Sequence, residues 1–394
     1  MTNSDIIFAN TLRTGRVNME YRKAPLYIRV VPGIVLMLSI AVLTRGGADL
    51  GFPQWQGIEL YINTNEYINK SIIEIFHLNY IVLSIIAGML IGNSIGIPSW
   101  AADGVKTSRV FIKLGVVLLG SLYSVSDIAL LGSGAIMLVL SFVSVTLLFT
   151  MWLGKKSGME STSAAVLSAG VAVCGVSAIV ATAPAVRAKT TDVVYSIATI
   201  LSFGLASLFI FPIIGTLAGL TPHQFGAWAG TGILNSGQVL AVCLSFDPGT
   251  ASHPSLSLKT GEIYNLVRVI FLPFVVLALA VYTSRMAKLP EDEININTGL
   301  WSKFPLFVGG FMVMAFITSF GVLGQTSPPS EEIILIRKLY SWFFAIGLTG
   351  LGMQISFTEL RKAGGRPLMV GTTAALLKAI AALILVLWAI PEQP

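Results

Sequence analysis

The chain has 394 residues, 54% of them hydrophobic and 11% charged, with a mean hydropathy of +0.80; soluble domains carry about 25% charged residues, so an ordinary soluble globule is excluded. The net charge of +6 comes with no basic run interleaved with exposed aromatics, which excludes a nucleic-acid binder and suits cytoplasmic loops. Two cysteines, Cys174 and Cys243, lie inside apolar stretches and form neither a disulfide framework nor a spaced metal site.

Residues 1–24 are polar and carry Arg13, Arg16, Arg22 and Lys23 against Asp5 and Glu20. The positive-inside rule makes this a cytoplasmic N-terminal segment, and residues 25–394 then read as a single transmembrane domain. The first apolar run, 27–43, has no small-residue cleavage site and reads as a retained span rather than a signal peptide. Residues 45–76, with Asp49, Glu59, Glu66 and Glu74, are expected outside.

Spans follow at 77–97, 110–123 and 128–153, with Lys106 and Arg109 in the inner loop and Lys155 and Lys156 marking the inside again. Residues 161–189 are apolar, yet Gly170 and Gly175 bracket their middle and Ser161, Ser163, Ser168 and Ser177 stud them. A helix interrupted at membrane depth must lie beside protein or a wet cavity, because hydrocarbon pairs no free N–H or C=O. Close packing of small residues is the alternative.

A span at 193–220 leads to a second stretch of this kind, 225–246, with Gly230, Gly232 and Gly237 around Asn235, Ser236 and Gln238. Further spans are expected at 263–281, 304–323, 339–355 and 367–390, with Arg285, Lys288, Arg361, Lys362 and Arg366 in inner loops. The expectation is an all-α polytopic membrane protein of about eleven membrane segments, two of them discontinuous, in the bacterial inner (cytoplasmic) membrane.

Residues 115–137 align without gaps on 347–369: Gly115, Leu119, Gly120, Ser124, Gly132 and Met137 match Gly347, Leu351, Gly352, Ser356, Gly364 and Met369, with Asp127 opposite Glu359. Loop charges orient the two copies oppositely, as inverted repeats require. The repeat-related spans are 110–153 and 339–390, around a core of 161–283. A weaker similarity relates the two interrupted stretches and places Tyr195 opposite Tyr264. The interrupted stretches can cross fully or turn back as re-entrant hairpins, and loop parity is the same for both.

Ionisable groups at membrane depth are functional candidates because each costs at least ~2.5 kcal/mol to insert. Arg268 offers a planar fork suited to oxyanions; Lys378 sits mid-span, and Lys113, near a span end, is expected to snorkel. Asp192 and Glu262 occupy expected helix starts, where the macrodipole favours a carboxylate; pairing with Arg268 or taking a coupling proton are the alternatives. Asn235, Ser236 and Gln238 can replace an ion's hydration shell, sodium's included, or hydrogen-bond between helices. His77, His223 and His253 have no ligand-like or catalytic spacing. No Ser-His-Asp set and no phosphate-binding loop is present, so neither an enzyme nor a bound cofactor is expected.

The strings AGVAVCGVSAIVATAPAVRAK followed by D..YSIA, AGTGILNSGQVLAV and LVRVIFLPFVVLALA, in that order and spacing, resemble the bacterial sulfate exporter (YeiH-like) family from about residue 78 onward. The resemblance implies a fold similar to sodium/proton antiporters and bile-acid symporters, with inverted repeats and two discontinuous helices crossing near the midplane. It marks Cys174, Gly175, Ser177, Gln238 and Arg268 as substrate-binding. Two departures stand out: Ile233, Leu234 and Asn235 replace a usual Ile-His-Glu or Ile-His-Asp, and Asn265 stands near a usual Lys. The expectation is a secondary transporter, an exporter of a small anion such as sulfate or a sulfonate, working by alternating access with sodium or a proton as coupling ion. Substrate contacts are expected from Cys174, Gly175, Ser177, Asn235, Ser236, Gln238 and Arg268, and charge balance from Asp192, Glu262, Asn265 and Lys378. A homodimer is compatible with the glycine-rich and aromatic spans. A sodium- or proton-coupled importer of an organic anion shares this architecture; a channel lacks support from charged rings, and an intramembrane enzyme lacks a nucleophile-base constellation.

Overall fold

The computed structural model describes residues 25–64, 79–123, 132–250, 252–286, 306–324, 329–358 and 365–390. The N-terminal segment, His77, the Asp127–Glu359 pairing, Lys288, Arg361 and Lys362 lie outside the described residues. Among the described residues the regular secondary structure is helical and no strand forms, with an isolated bridge between Gly47 and Phe52.

The helices in chain order are α1 (Leu26–Arg45), α2 (Gly57–Thr64), α3 (Tyr80–Ser94), α4 (Ala102–Val105), α5 (Ser108–Leu119), α6 (Gly132–Lys156), α7 (Ser161–Ala172) and α8 (Val176–Ala185). They continue as α9 (Thr190–Leu217), α10 (Pro222–Gly232), α11 (Ser236–Phe246), α12 (Leu256–Ile270), α13 (Leu272–Met286), α14 (Leu306–Ser319), α15 (Glu331–Met353) and α16 (Arg366–Ala389). Six helical runs among the described residues are long and apolar enough to cross a membrane: α1, most of α6, α9, α12 with α13, α15 and α16. The chain is an integral membrane protein.

Several helix starts are written in the sequence. Asn79 accepts from Ile81 N (3.1 Å) and Val82 N (3.2 Å) at the head of α3, and Thr221 with Gln224 forms a capping box at α10, where Pro222 takes the first turn.

The helices sort into two bodies. In the first, α15 packs along α3 and α5 and against α1, and α14 lies on α5. Close approach there rests on small residues: a side chain on Gly88 would strike Thr349 O, and one on Gly352 would strike Ile85 O. In the second body, α10 packs against α12 and α16, α7 against α6, α9 and α16, and α11 against α9 and α12. Asn79 donates through Nδ2 to Leu244 O (2.7 Å) and links α3 of the first body to α11 of the second.

The helices that open the two aligned copies, α5 and α15, meet in space. A Cβ on Gly115 would run into the Phe344 ring, and a Cβ on Gly347 would run into Ile112. In the gap-free alignment extended by one turn, Ile112 is the counterpart of Phe344, so the two contacts are one contact made twice across a local two-fold.

The interrupted stretches do not cross. Were α7 and α8 collinear, Glu160 and Lys189 would stand about 40 Å apart at 1.5 Å per residue; instead Lys189 Nζ meets Glu160 Oε1 at 2.5 Å. Likewise Phe225, in the first turn of α10, and Phe246, at the end of α11, stack with ring centroids 3.8 Å apart. Each stretch is a helical hairpin whose ends share a face. This corrects the crossing geometry that the family resemblance implies.

The hairpins enter from opposite faces. The mouth of α7–α8 lies beside the end of α6, the end of α13 and the start of α16, where Lys155 bonds Tyr282 and Arg366 donates to Gly158 O (2.7 Å). The mouth of α10–α11 lies beside the start of α3 and the end of α16, where Gln224 Nε2 donates to Ile390 O (2.9 Å). A twelve-residue arm is about 18 Å long, a little over half the ~30 Å hydrocarbon thickness, so both tips reach mid-depth.

Candidate functional site

The two tips touch. Gly175 holds φ +71°, and a Cβ there would lie 2.9 Å from Asn235 Cβ. Positive φ is open to glycine at little cost, and it turns the chain from α7 into α8 within three residues. No side chain caps the start of α8, whereas Asn235 caps α11 by accepting from Gly237 N (3.2 Å).

Each tip also ends a half-helix whose last carbonyls lie in the buried interior, and a buried cation meets each of them. Lys378 Nζ, from α16, donates to Val171 O at the end of α7 (3.0 Å). Arg268 Nη1, from α12, donates to Ile233 O (2.6 Å) and reaches Thr231 O (3.5 Å) at the end of α10. Cations at helix C-termini offset the macrodipole and satisfy orphan carbonyls.

Between the two bodies, at the tips, lies a cavity of about 380 Å³. The second body contributes Cys174, Val176 and Ser177 from the first hairpin, Asn235, Ser236 and Gly237 from the second, and Glu262 and Asn265 from α12. The first body closes it with Arg109, Ile112 and Lys113 of α5, Phe307 of α14 and Leu351 of α15. Lys113 Nζ sits 5.9 Å from the Phe307 ring centroid.

Asn265 is the hub on the α12 side. Its Oδ1 accepts from Ser236 Oγ (2.9 Å) and Arg268 Nη2 (3.0 Å), and its Nδ2 donates to Glu262 Oε2 (3.1 Å). Two helix N-termini and two cationic side chains therefore converge on a wall that holds one carboxyl, Glu262. Such a wall favours negative charge.

Of the residues expected to bind solute, Cys174, Ser177, Asn235 and Ser236 line the cavity, and Gly175 forms the turn that sets the tip. Three expectations need correction. Gln238 is buried against α9, its amide lying on Gly204, so it does not join Asn235 in a sodium-sized cluster. Arg268 is fully buried and is not among the residues that line the cavity; its Nη1 lies on hairpin carbonyls and its Nη2 on Asn265. Glu262 lies in the second turn of α12, whose start is capped by Ser255, so capping is not its task.

Among the charge-balancing candidates, Asn265 and Glu262 face the cavity, Lys378 caps α7, and Asp192 stands in the first turn of α9 beside Lys189, away from the cavity wall. Reading along the sequence missed Arg109, assigned to a loop, and Lys113, assigned to the interface. Their spacing of four residues puts both on one face of α5, a signal that was present in the sequence.

The family described as conserved hypothetical protein 698 matches residues 56–371. Two UPF0324 membrane proteins of Nitratidesulfovibrio vulgaris are 42% and 38% identical, over 92% and 91% of this chain and 96% and 92% of their own length. A UPF0324 membrane protein of Bartonella henselae is 27% identical over 90% of this chain and 92% of its own length. No solved structure matches. With the family pattern covering four-fifths of the sequence and a 42% identical relative aligned almost end to end, the chain belongs to the UPF0324 family of membrane proteins.

Proposed function

We propose that this protein is a secondary transporter that moves a small oxyanion, of the sulfate or sulfonate class, across the bacterial inner membrane by alternating access. The observation that carries the reading is the cavity wall: the starts of α8 and α11, together with Arg109 and Lys113, surround a volume sized for a small solute. The hairpin-bearing body (α6–α13 and α16) would carry the solute past the body built on α1, α3, α5, α14 and α15, since the cavity lies on the seam between them. In this reading the six long apolar runs cross, α3, α5 and α14 would be shorter crossings, and the two hairpins would make up the remaining membrane segments. Arg29, Lys106, Lys155, Lys156, Lys189, Arg285 and Arg366 gather on the face where α7–α8 opens, which supports reading that face as the cytoplasmic one by the positive-inside rule. Export is the direction we infer from the family resemblance.

The test is flux of labelled sulfate and of isethionate in proteoliposomes. Lys113→Ala and Arg109→Ala are expected to weaken apparent affinity about tenfold each, roughly 1.4 kcal/mol. Wild-type protein that moves neither anion, or that passes steady single-channel current, would remove the transporter reading.

A further inference from the structure

Glu262 is about 1% exposed and faces the cavity. Asn265 fixes how it is used. Because Asn265 Oδ1 already accepts from both Ser236 and Arg268, its Nδ2 must point at Glu262, and it donates to Oε2. That leaves Glu262 Oε1 buried and without a partner. A buried carboxyl oxygen in this position lacks a donor when ionised, and becomes a donor itself when protonated.

The titratable and charged groups on the elements that pack about this carboxyl are Arg268, Tyr264 and Lys259 on its own helix, His223 on α10, Cys243 on α11, Cys174 at the first tip, and Arg109 and Lys113 across the cavity on α5. The cations on α5 belong to the other body, whereas Glu262 travels with the hairpins. An anion in the cavity beside an ionised Glu262 is repelled by it, and the repulsion disappears when Oε1 holds a proton.

We propose that Glu262 is the proton carrier of this site, so that one proton moves with each anion. The inference rests on the anion-site reading above. On loading, a hydronium that enters the cavity from the open face gives its proton to Oε1, forming an O–H bond and leaving water. On release at the other face the bond breaks and the proton returns to water. Asn265 transmits occupancy, because Ser236, at the start of α11, shares its Oδ1 with Arg268. By linkage, anion binding raises proton affinity as much as protonation raises anion affinity.

The test is calorimetric binding of sulfate, isethionate and chloride to the purified full-length protein between about pH 5.5 and pH 8, a window in which none of these anions titrates. Paired buffers of different ionisation enthalpy report proton uptake. Wild-type affinity is expected to fall up to about tenfold per pH unit with uptake of close to one proton. In Glu262→Gln, binding is expected to be independent of pH with no proton taken up. In Lys113→Ala it is weakened at every pH with uptake retained, and in His223→Asn it keeps the wild-type pH profile. Wild-type uptake stands as evidence even if Glu262→Gln fails to fold. Anion binding that Arg109→Ala weakens, but that is flat with pH and exchanges no proton, would overturn the proton carrier and leave the anion site intact. A requirement for sodium at fixed pH with no proton uptake would overturn it as well. If none of the three anions binds at any pH, the proposal and the reading beneath it both fall.

Discussion

Lys189 Nζ and Glu160 Oε1 are 2.5 Å apart although 29 residues separate them. The chain enters the membrane region through α7, turns at Gly175 and leaves through α8 by the face it came from. The same logic, inverted, applies to α10 and α11, closed at their mouth by Phe225 and Phe246. Two dead-end hairpins that meet at their tips place helix N-termini at mid-depth, where a crossing helix would offer none.

Glu160→Cys with Lys189→Cys, in a background of Cys174→Ser and Cys243→Ser, is expected to form an intramolecular cross-link with a short bifunctional maleimide. Mass spectrometry after proteolysis reads it directly. A crossing segment would hold the two positions about 40 Å apart and give no such product.

Removing a hairpin-tip cation leaves a buried carbonyl unmatched. Arg268→Ala strips Ile233 O of its 2.6 Å donor, and Lys378→Ala strips Val171 O. Each is expected to cost about 1–3 kcal/mol, read as a lowered midpoint of thermal unfolding in detergent. Arg268→Lys should recover only part, since one ammonium replaces a fork that serves both Ile233 O and Asn265 Oδ1. An unchanged midpoint in Arg268→Ala would show that the contact contributes nothing.

Gly175→Ala is expected to be more disruptive than an alanine at an ordinary helix position. Its φ of +71° strains any side chain, and the new Cβ would press on Asn235. A loss of about 1–3 kcal/mol is anticipated, together with weaker solute binding because both tips shift. Gly237→Ala, where a Cβ would meet nothing closer than 3.6 Å, is the matched control for the stability loss.

At the face where α1 begins, Asp103 receives hydrogen bonds from Arg29 Nε (2.9 Å) and Lys106 Nζ (2.9 Å). These bonds, Lys106 first and Arg29 second, hold its carboxyl below the ordinary carboxylate range. A carboxyl whose folded pKa is depressed stabilises above its unfolded pKa, and this contribution is lost as pH falls through the folded value. Thermal scans on the acid side should therefore show wild type losing stability in that window, and Asp103→Asn losing less there. Parallel curves would refute the linkage. Lys189 behaves in the opposite sense: the Glu160 hydrogen bond raises it, so its contribution is present below its ordinary pKa and lost as pH rises through the folded value.

Much of the architecture was legible along the chain. Hydropathy located the long spans, because a helix in lipid must be apolar over its whole length whatever surrounds it. Gly170, Gly175, Gly232 and Gly237 announced two interruptions, and the aligned Gly115 and Gly347 announced a two-fold that the reciprocal contacts with Phe344 and Ile112 make concrete. Lys113 and Arg109 were visible only as cations near a span end, because a single helix does not say whether its charged face meets headgroups or another body's cavity.

The sequence by itself determined that this is a membrane protein and marked two glycine-studded stretches as either broken or closely packed, since the bilayer acts on every residue locally. Tertiary structure alone decided that those stretches turn back, that Arg268 and Lys378 serve hairpin carbonyls, and that Gln238 faces α9 while Glu262 faces the cavity. Each of these depends on a partner tens to hundreds of residues away. Backbone that leaves its own helix must find hydrogen bonds elsewhere, and only the folded chain specifies where.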